Sequence, residues 1–390
     1  MKKIKYLLVL VFSTLLLVAC NKTDLTTEEK LQDFEQLYNE ITVTYPYFGL
    51  EGKITKNQWL ANHDRYEKSI KNTGNLNSFS KELNNIMGEL NNYHSYIVSN
   101  KSTYDSIKSI SEMSDFFPNL FNKNTDNAYL NMPKRGPSIQ NSSNIVCSDI
   151  KKNKMGYIKI PQMNPVGSSI SEDMDKIADY LKNIQNYNSL IIDIRDNLGG
   201  SDEYWKSLVS IITDKAYSTK GYLLLNNESN NMKSYIKNFD FNFKPLSELP
   251  SDIRKIAPGY INNLKGFDEI NLKVDGKAKY PFKGKIYVLV NDQVFSGAET
   301  FSIFCRDTKF ATLVGSETLG DGGVSNPLCI NLKHSGLIAI ISSNMFMSKD
   351  GIVDEENPVQ PDYYVEDTSS KDILKSDECI DKVKSLESIN

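Results

Sequence analysis

One stretch of the sequence, KIYVLVNDQVFSGAETF at residues 285–301, constrains the fold more than any other. Residues 286–290 form a continuous apolar run rich in β-branched side chains, which is typical of a strand buried on both faces of a sheet. After a short polar turn, apolar residues return at three- and four-residue steps, as they do along a helix that packs one face against a core. The stretch therefore predicts a strand–turn–helix unit, the building block of an α/β layer.

Ser296 lies at the junction where this strand becomes a helix. A hydroxyl at such a junction projects from the end of the sheet, beside the unpaired N–H groups of the first helical turn. Nucleophilic acyl transfer needs that combination of a held hydroxyl and donors for the developing oxyanion. The alternative interpretation is structural, because Ser296 and Glu299 also have the Ser-x-x-Glu spacing of a helix capping box. Other parts of the chain have to decide between the two.

Strand and helix patterns alternate on either side of this unit. Residues 155–160 alternate like a strand, residues 170–186 repeat like an amphipathic helix, and residues 189–195 form a second buried strand before a helix at 201–212. This alternation predicts an α/β layered core, and we assign it to residues 154–368.

The segments on either side of this core have different sequence patterns. Residues 29–99 show helical periodicity and predict a small N-terminal helical domain ending in a turn that presents His94. Residues 100–153, rich in Asn, Ser and Lys and interrupted by prolines, predict a connector or irregular strands. Residues 369–390 predict a C-terminal helical tail.

The first residues are predicted to be a targeting segment rather than part of the fold. Residues 1–19 combine a basic start with an apolar run that is short for a membrane span, which predicts a signal peptide. The end of this run, LVAC, resembles the bacterial lipobox, which implies that Cys20 is acylated and that residues 20–28 tether an extracytoplasmic protein to the membrane. The alternative is an uncleaved anchor helix.

Composition excludes several classes of function. The chain has 45 basic and 49 acidic residues, so no nucleic-acid partner is expected. Its three histidines, His63, His94 and His334, form no HExxH motif, and neither a metal site nor a cofactor is expected. The glycine pair in LIIDIRDNLGG, at residues 190–200, lacks the spacing of a nucleotide-binding loop and by itself predicts a tight turn.

Together these segments resemble the serine peptidases of family S41, the group of the tricorn core protease and the C-terminal processing peptidases. DIRDNLGG is similar to the family's Asp-x-Arg-x-Asn-x-Gly-Gly segment, and VNDQVFSGAETF resembles the segment of its nucleophilic serine. GSETLGDGG at 315–323 and DGIVDEENPVQPD at 350–362 resemble its later segments, and ELNNYHSYI lies where tricorn-like members have Asp-Gly-His-Thr. The resemblance covers residues 27–99 and 154–366 and implies a crotonase/ClpP-like β-α layered core. Because residues 100–153 are short for a PDZ domain, none is expected.

The resemblance assigns roles by position. Ser296 would be the nucleophile, and His94 would be its general base and then the acid for the leaving amine. Glu355 would help to orient the histidine, directly or through another group, with Glu356 as the alternative if the register differs by one. The backbone N–H of Gly297, together with that of Gly199 or Gly200, would form the oxyanion hole.

The sequence departs from the family's pattern in two places. Processing peptidases pair their serine with a lysine in a Gly-Lys-Gly context, which here is Gly320-Asp321-Gly322, so His94 remains as the base. The bulky Tyr93 replaces the glycine before the histidine. We therefore expect a membrane-tethered extracytoplasmic serine peptidase acting on peptides or proteins; the alternative is a non-catalytic peptide-binding lipoprotein on the same scaffold. A third interpretation takes the same sheet topology as an acyl-CoA enzyme of the crotonase type, but export argues against it, because acyl-CoA is cytoplasmic.

Overall fold

The computed structural model describes residues 25–113, 120–134, 145–323, 326–366 and 376–389. The predicted signal peptide, Cys20 and the first part of the tether lie outside these ranges, as does the start of the C-terminal tail. Within them, no helix combines the length and apolar character needed to cross a bilayer.

The described part of the chain mixes helices and strands. The helices are α1 (Thr27–Thr44), α2 (Lys56–Ala61), α3 (His63–Lys71), α4 (Leu76–Gly88), α5 (Lys101–Met113), α6 (Lys123–Tyr129), α7 (Ile170–Asn183), α8 (Asp202–Ile212), α9 (Asn230–Asn238), α10 (Ser251–Ile256), α11 (Gly297–Thr308) and α12 (Glu378–Leu386). The strands are β1 (Tyr96–Ile97), β2 (Val146–Lys151), β3 (Met155–Lys159), β4 (Ser189–Asp193), β5 (Tyr217–Leu225), β6 (Lys244–Pro245), β7 (Gly266–Val274), β8 (Lys285–Val290), β9 (Thr312–Gly315), β10 (Leu328–Asn331), β11 (Ile338–Ile341), β12 (Asn344–Ser348) and β13 (Tyr363–Tyr364).

A six-stranded sheet organises the core, with the spatial order β13-β9-β8-β4-β3-β2. Its strands from β13 to β3 are parallel, and only the edge strand β2 is antiparallel. Alternate residues of the central strands point to opposite faces: Ile192 and Val288 join the main core, whereas Ile191 and Leu289 pack with α12. Since both faces are buried, these strands have the continuous apolar runs from which they were predicted. The α/β layered core is confirmed.

Two smaller antiparallel sheets complete the architecture, in the orders β12-β5-β7-β6 and β1-β11-β10. The pairing of Tyr96 with Ile340 in β1 and β11 fixes the chain immediately after His94. The turn that carries His94 is thereby held against the rest of the core.

The N-terminal helices are built around an aromatic cluster. Tyr38 stacks on Trp59 with ring centroids 5.2 Å apart, and Trp59 also contacts Tyr66 at 5.2 Å. Thr26 and Asn75 close capping boxes at the starts of α1 and α4. These aromatic residues belong to the same contiguous core cluster as the strands, so the helical region is packed onto the α/β layer.

The segment 100–153, which the sequence predicts to be a connector or irregular strands, contains α5, α6 and β2. Tyr104 of α5 stacks on Tyr129 of α6 at a centroid distance of 4.4 Å, and the Tyr129 hydroxyl donates to the Val98 carbonyl. Asn122 caps α6 by accepting from Thr125. A few aromatic contacts and a polar cap therefore hold helices whose composition is otherwise typical of a loop.

Candidate active site

Ser296 occupies the junction of β8 and α11 with an unusual backbone. Its φ of +56° and ψ of −121° lie in a region that L-residues rarely adopt, and its side chain makes no capping hydrogen bond. Glu299 does not complete a capping box either, because its carboxyl group is buried and accepts from Thr318 Oγ1 at 2.6 Å and from the Val359 N–H at 3.0 Å. The sharp turn therefore directs the hydroxyl out of the helix rather than onto the helix terminus.

The imidazole of His94 meets this hydroxyl across the boundary between the helical region and the core. Its Nε2 lies 3.1 Å from Ser296 Oγ, although the two residues are 202 positions apart. The ring packs at a centroid distance of 4.6 Å against Phe295, which directly precedes the serine. Ser296 and His94 are thus within hydrogen-bond distance, and the imidazole packs on the residue that precedes the serine.

Asp321 lies on the other side of the imidazole. Its Oδ2 is 2.6 Å from His94 Nδ1, so Nδ1 carries a proton that it donates to the carboxylate, and Nε2 is left to accept from Ser296. In the sequence, this position stands out only because it lacks the lysine of the processing peptidases. The available signal was the presence of a carboxylate, in a turn with three glycines, where processing peptidases have their basic residue.

The surroundings of Asp321 hold it as an anion. The side chain is 2% exposed, and it accepts from the Tyr47 hydroxyl at 2.9 Å and from Asn92 Nδ2 at 3.1 Å. Burial alone would raise the pKa of Asp321, but the charge of His94 and the hydrogen bonds from His94, Tyr47 and Asn92 outweigh burial, and the pKa is lowered. The carboxylate can therefore stabilise a proton on His94.

The pKa of His94 is shifted in the opposite direction. Burial would lower its pKa, but the negative charge of Asp321, its hydrogen bond, and the charge of Glu355 together raise the pKa above the ordinary value for histidine. The imidazole is consequently a stronger base than an isolated one, as acceptance of the serine proton requires.

Glu355, which sequence analysis assigned to orient His94, does not contact the imidazole directly. Its Oε1 accepts from Asn92 Nδ2 at 3.3 Å and forms an ion pair with Lys53 Nζ at 2.5 Å. Glu355 is connected to His94 through Asn92, whose Oδ1 accepts from the His94 backbone N–H at 3.0 Å. Glu356 faces away and accepts from the Tyr260 hydroxyl at 2.5 Å.

The glycine turn after β4 lies against Ser296. A Cβ atom at Gly199 would fall 2.7 Å from Ser296 Cβ and 2.8 Å from the Gly297 nitrogen, so only glycine fits there. The N–H of Gly199 donates to Asn197 Oδ1 at 2.9 Å, which makes Gly199 a poor oxyanion donor. The other alternative, Gly200, lies beside Gly297, since its nitrogen would be 3.2 Å from a Cβ atom at Gly297.

Tyr93 does not obstruct the histidine. Its side chain is 68% exposed and contacts the edge of Phe295 at a centroid distance of 5.8 Å. Tyr93 also has a negative φ, so the position does not require the glycine of the family's pattern. Leu198, in the glycine turn, is 63% exposed.

Two further carboxyl groups, Glu299 and Asp354, lie beneath the loop that carries Asp321. Asp354 accepts from the Gly322 N–H at 2.8 Å, and a Cβ at Gly322 would fall 2.6 Å from Glu299 Cγ. Burial raises the pKa of Glu299 to about 7, and burial together with the charge of Glu299 raises that of Asp354 well above its usual range. Across the described ranges, no group of three or more His, Cys, Asp or Glu side chains is arranged to hold a metal ion.

Comparison with known proteins gives this geometry a context. The model of peptidase family S41 matches residues 154–365, which include Ser296 and Asp321. A protein of Chlamydia trachomatis serovar D is 25% identical over 307 residues, covering 65% of this chain and 49% of the relative. This chain thus spans about half the length of that curated relative.

Solved structures share the fold. The crystal structure of a peptidase candidate from Parabacteroides merdae has a TM-score of 0.59 at 19% identity, covering 92% of this chain and 96% of that one. Mature CPAF complexed with lactacystin also has a TM-score of 0.59, at 15% identity, covering 93% of this chain and 98% of that one. At these identities the similarity establishes a common architecture that includes the N-terminal helical region.

Proposed function

Because the chain belongs to peptidase family S41, we propose that it hydrolyses peptide bonds through an acyl-enzyme on Ser296, with His94 as general base and Asp321 as the carboxylate that orients the base. The observation that carries this proposal is the continuous line from Ser296 Oγ through His94 to Asp321, with distances of 3.1 Å and 2.6 Å. Processing peptidases use a lysine as the base for their serine, and this chain has Asp321 at that position. A carboxylate cannot replace the lysine as base, but it can support an imidazole that acts as the base.

The reaction would run in two halves. Ser296 Oγ attacks the carbonyl carbon of the scissile bond while its proton moves to His94 Nε2, and Asp321 stabilises the resulting imidazolium. The N–H groups of Gly297 and Gly200 would bind the oxyanion. His94 then gives the proton to the leaving amine, and water, deprotonated by His94, hydrolyses the ester and restores the serine.

The substrate class is peptides or proteins outside the cytoplasm. Cys20 and the LVAC segment support a lipid-anchored location, since a basic start, an apolar run and a small residue before cysteine occur together. Expression of the full chain in a bacterial host with an alkyne-bearing fatty acid should label it, and Cys20→Ala should abolish both labelling and recovery with membranes. Label incorporated equally by the Cys20→Ala variant would refute lipidation at this residue.

A fluorophosphonate probe tests the catalytic proposal with the detergent-solubilised full chain. The protein should be labelled, and Ser296→Ala should abolish labelling, whereas Ser99→Ala, at an exposed serine, should leave it unchanged. His94→Ala should slow labelling by at least about a hundredfold, with His63→Ala as the matched control. Persistent labelling of the Ser296→Ala variant would discard the nucleophile. A wild-type protein that binds peptides but takes no label would instead support the non-catalytic alternative.

A further inference from the structure

A lysine from the N-terminal helical region reaches the back of the site. Lys53 lies in the loop before α2, and its Nζ is 2.5 Å from Glu355 Oε1 and also donates to the carbonyl of Asn91. The Lys53 and Glu355 side chains are only 11% and 7% exposed. The pair is therefore largely removed from water, unlike the surface ion pairs of this protein.

Asn92 connects this ion pair to the histidine. Its Oδ1 accepts from the backbone N–H of His94 at 3.0 Å and from Ser95 Oγ at 3.1 Å. Its Nδ2 donates to Asp321 at 3.1 Å and to Glu355 at 3.3 Å. The four contacts fix the orientation of the amide, since a reversed amide would place its oxygen against two carboxylates.

The same contacts create an electrostatic problem. Glu355 and Asp321 both accept from one amide nitrogen, so two carboxylates lie close together in a buried region, where like charges repel strongly. Asp321 is balanced by the proton on His94 and by hydrogen bonds, whereas Glu355 depends on Lys53 for an opposite charge.

We propose that Lys53 is a positioning residue for the reaction: it holds Glu355 in place and favours its ionised form, Glu355 fixes Asn92, and Asn92 fixes the backbone of His94 so that the imidazole faces Ser296. This inference rests on the proposed function. Lys53 does not touch the reacting atoms; it acts through three intervening groups.

The protonation of Glu355 is the point at which Lys53 acts. Burial and the charge of Asp321 raise the pKa of Glu355 to about 7, against the opposing effects of Lys53 and Asn92. Without the ammonium group the pKa of Glu355 would rise further, and a neutral Glu355 would no longer raise the pKa of His94. The titratable or charged groups that face Glu355 or adjoin it in the chain are Lys53, His94, Asp321, Tyr45, Tyr47, Asp354 and Glu356.

The test measures the second-order rate of fluorophosphonate labelling of the full chain from about pH 5 to pH 9, a range that covers the titration of a histidine. The variants are Lys53→Met, Lys53→Arg, Glu355→Gln and the double variant Lys53→Met/Glu355→Gln. Lys71→Met is the matched control, because Lys71 forms an exposed ion pair with Glu67 at 2.9 Å in the same helical region.

At neutral pH, Lys53→Met should slow labelling by about tenfold or more, because it leaves a buried carboxyl group without its partner. Lys53→Arg should recover most of the rate. In Lys53→Met and in Glu355→Gln the acid limb of the profile should move to lower pH, and in Lys71→Met it should stay in place. The double variant should label at a rate within about threefold of Glu355→Gln, since charge and counter-charge are removed together.

Three outcomes would overturn the inference about Lys53. The first is a Lys53→Met profile that matches the wild type. The second is a slower rate with an unmoved acid limb, which would mean a structural role only. The third is a double variant that labels more than about threefold slower than Glu355→Gln, a comparison that remains readable even if Lys53→Met alone folds poorly. In each of these outcomes the wild type is still labelled at Ser296, so the proposed function stands. If the wild type were not labelled, the proposed function itself would be refuted, independently of Lys53.

Discussion

The carboxylate of Asp321 lies 2.6 Å from Nδ1 of His94, on the far side of the imidazole from Ser296. Asp321 has a left-handed backbone, with a φ of +56°, in a loop whose neighbouring Gly322 is packed against Glu299. Aspartate tolerates this conformation better than most residues. The loop thus delivers a carboxylate to the position where the base needs an acceptor.

Replacing Asp321 with asparagine should slow fluorophosphonate labelling by about a hundredfold to ten-thousandfold, because an amide neither stabilises the imidazolium nor enforces the tautomer. Labelling rates at pH 7 measure the effect. Asp292→Asn, at an exposed aspartate in the turn before Ser296, is the control and should retain the wild-type rate. A loss of less than about threefold in Asp321→Asn would transfer the orienting role to another group.

The pH dependence of labelling should report His94. Since the imidazole must be neutral to accept the serine proton, and since Asp321 and Glu355 raise its pKa, the acid limb should have an apparent pKa above the ordinary histidine value of about 6.5. Labelling rates measured from about pH 5 to pH 9 give this apparent pKa. An acid limb below this value would contradict the electrostatic account, whereas a higher one would support it.

The elements that the sequence predicts best are those whose burial determines their composition. The runs that became β4 and β8 are apolar because both sheet faces are covered, and Ser296 stands out because it lies at the start of the helix that follows one of them. The helices α5 and α6 escape prediction because the stacking of Tyr104 on Tyr129 depends on a contact across 25 residues that no local pattern contains.

The residues of the site also differ in how well the sequence predicts them. His94 and Ser296 can be found from short motifs, but the choice between Asp321 and Glu355 as the carboxylate in contact with His94 depends on loop geometry. The amide at Asn92, where the related motif has an aspartate, and the carboxylate at Asp321, where processing peptidases have a lysine, make sense only together. An aspartate at position 92 would confront both carboxylates, so the two departures are coupled in space although 229 residues separate them.

Tyr93 should prove dispensable for acylation. Because its ring points outward and its backbone is not left-handed, Tyr93→Gly should change the labelling rate by less than about threefold. Cleavage of a peptide library is the more informative measurement. In the library, Tyr93→Gly should lose preference at the substrate position that contacts the Tyr93 ring. A loss of labelling of about tenfold would instead mean that Tyr93 supports His94.

Glu299 should make stability depend on pH. The pKa of its carboxyl group is 4.5 in the unfolded chain and about 7 in the folded protein, so between these values the folded state binds more protons and the free energy of unfolding falls as pH rises. Glu299→Gln keeps an acceptor oxygen without the charge. It should stabilise the protein by about 1 to 3 kcal/mol at pH 8 and by much less at pH 4.

Urea denaturation at both pH values measures this difference. Glu317→Gln, at an exposed glutamate in the same loop region, should change the free energy of unfolding by less than about 0.5 kcal/mol at either pH. Equal effects of Glu299→Gln at pH 4 and pH 8 would show that folding does not shift the pKa of Glu299.

The C-terminal helix should depend on a buried ion-pair network. The guanidinium of Arg195 is fully buried and contacts Asp193 at 2.7 Å and Asp377 at 2.6 Å, and Asp377 also caps α12 by accepting from the Ile380 N–H at 3.1 Å. Asp377→Ala removes both the charge and the cap, and it should destabilise the protein by about 3 to 5 kcal/mol. Asp377→Asn retains the cap and should cost less.

The control for this prediction is Asp381→Ala, which removes an exposed partner of Lys384 on the same helix and should cost less than about 1 kcal/mol. Urea denaturation measures all three variants, and fluorophosphonate labelling at low temperature separates stability from catalysis. Since α12 covers the face of the sheet opposite to Ser296's helix α11, labelling of the folded fraction should match the wild type. Equal stability of Asp377→Ala and Asp381→Ala would mean that Arg195 is sufficiently balanced by Asp193 alone.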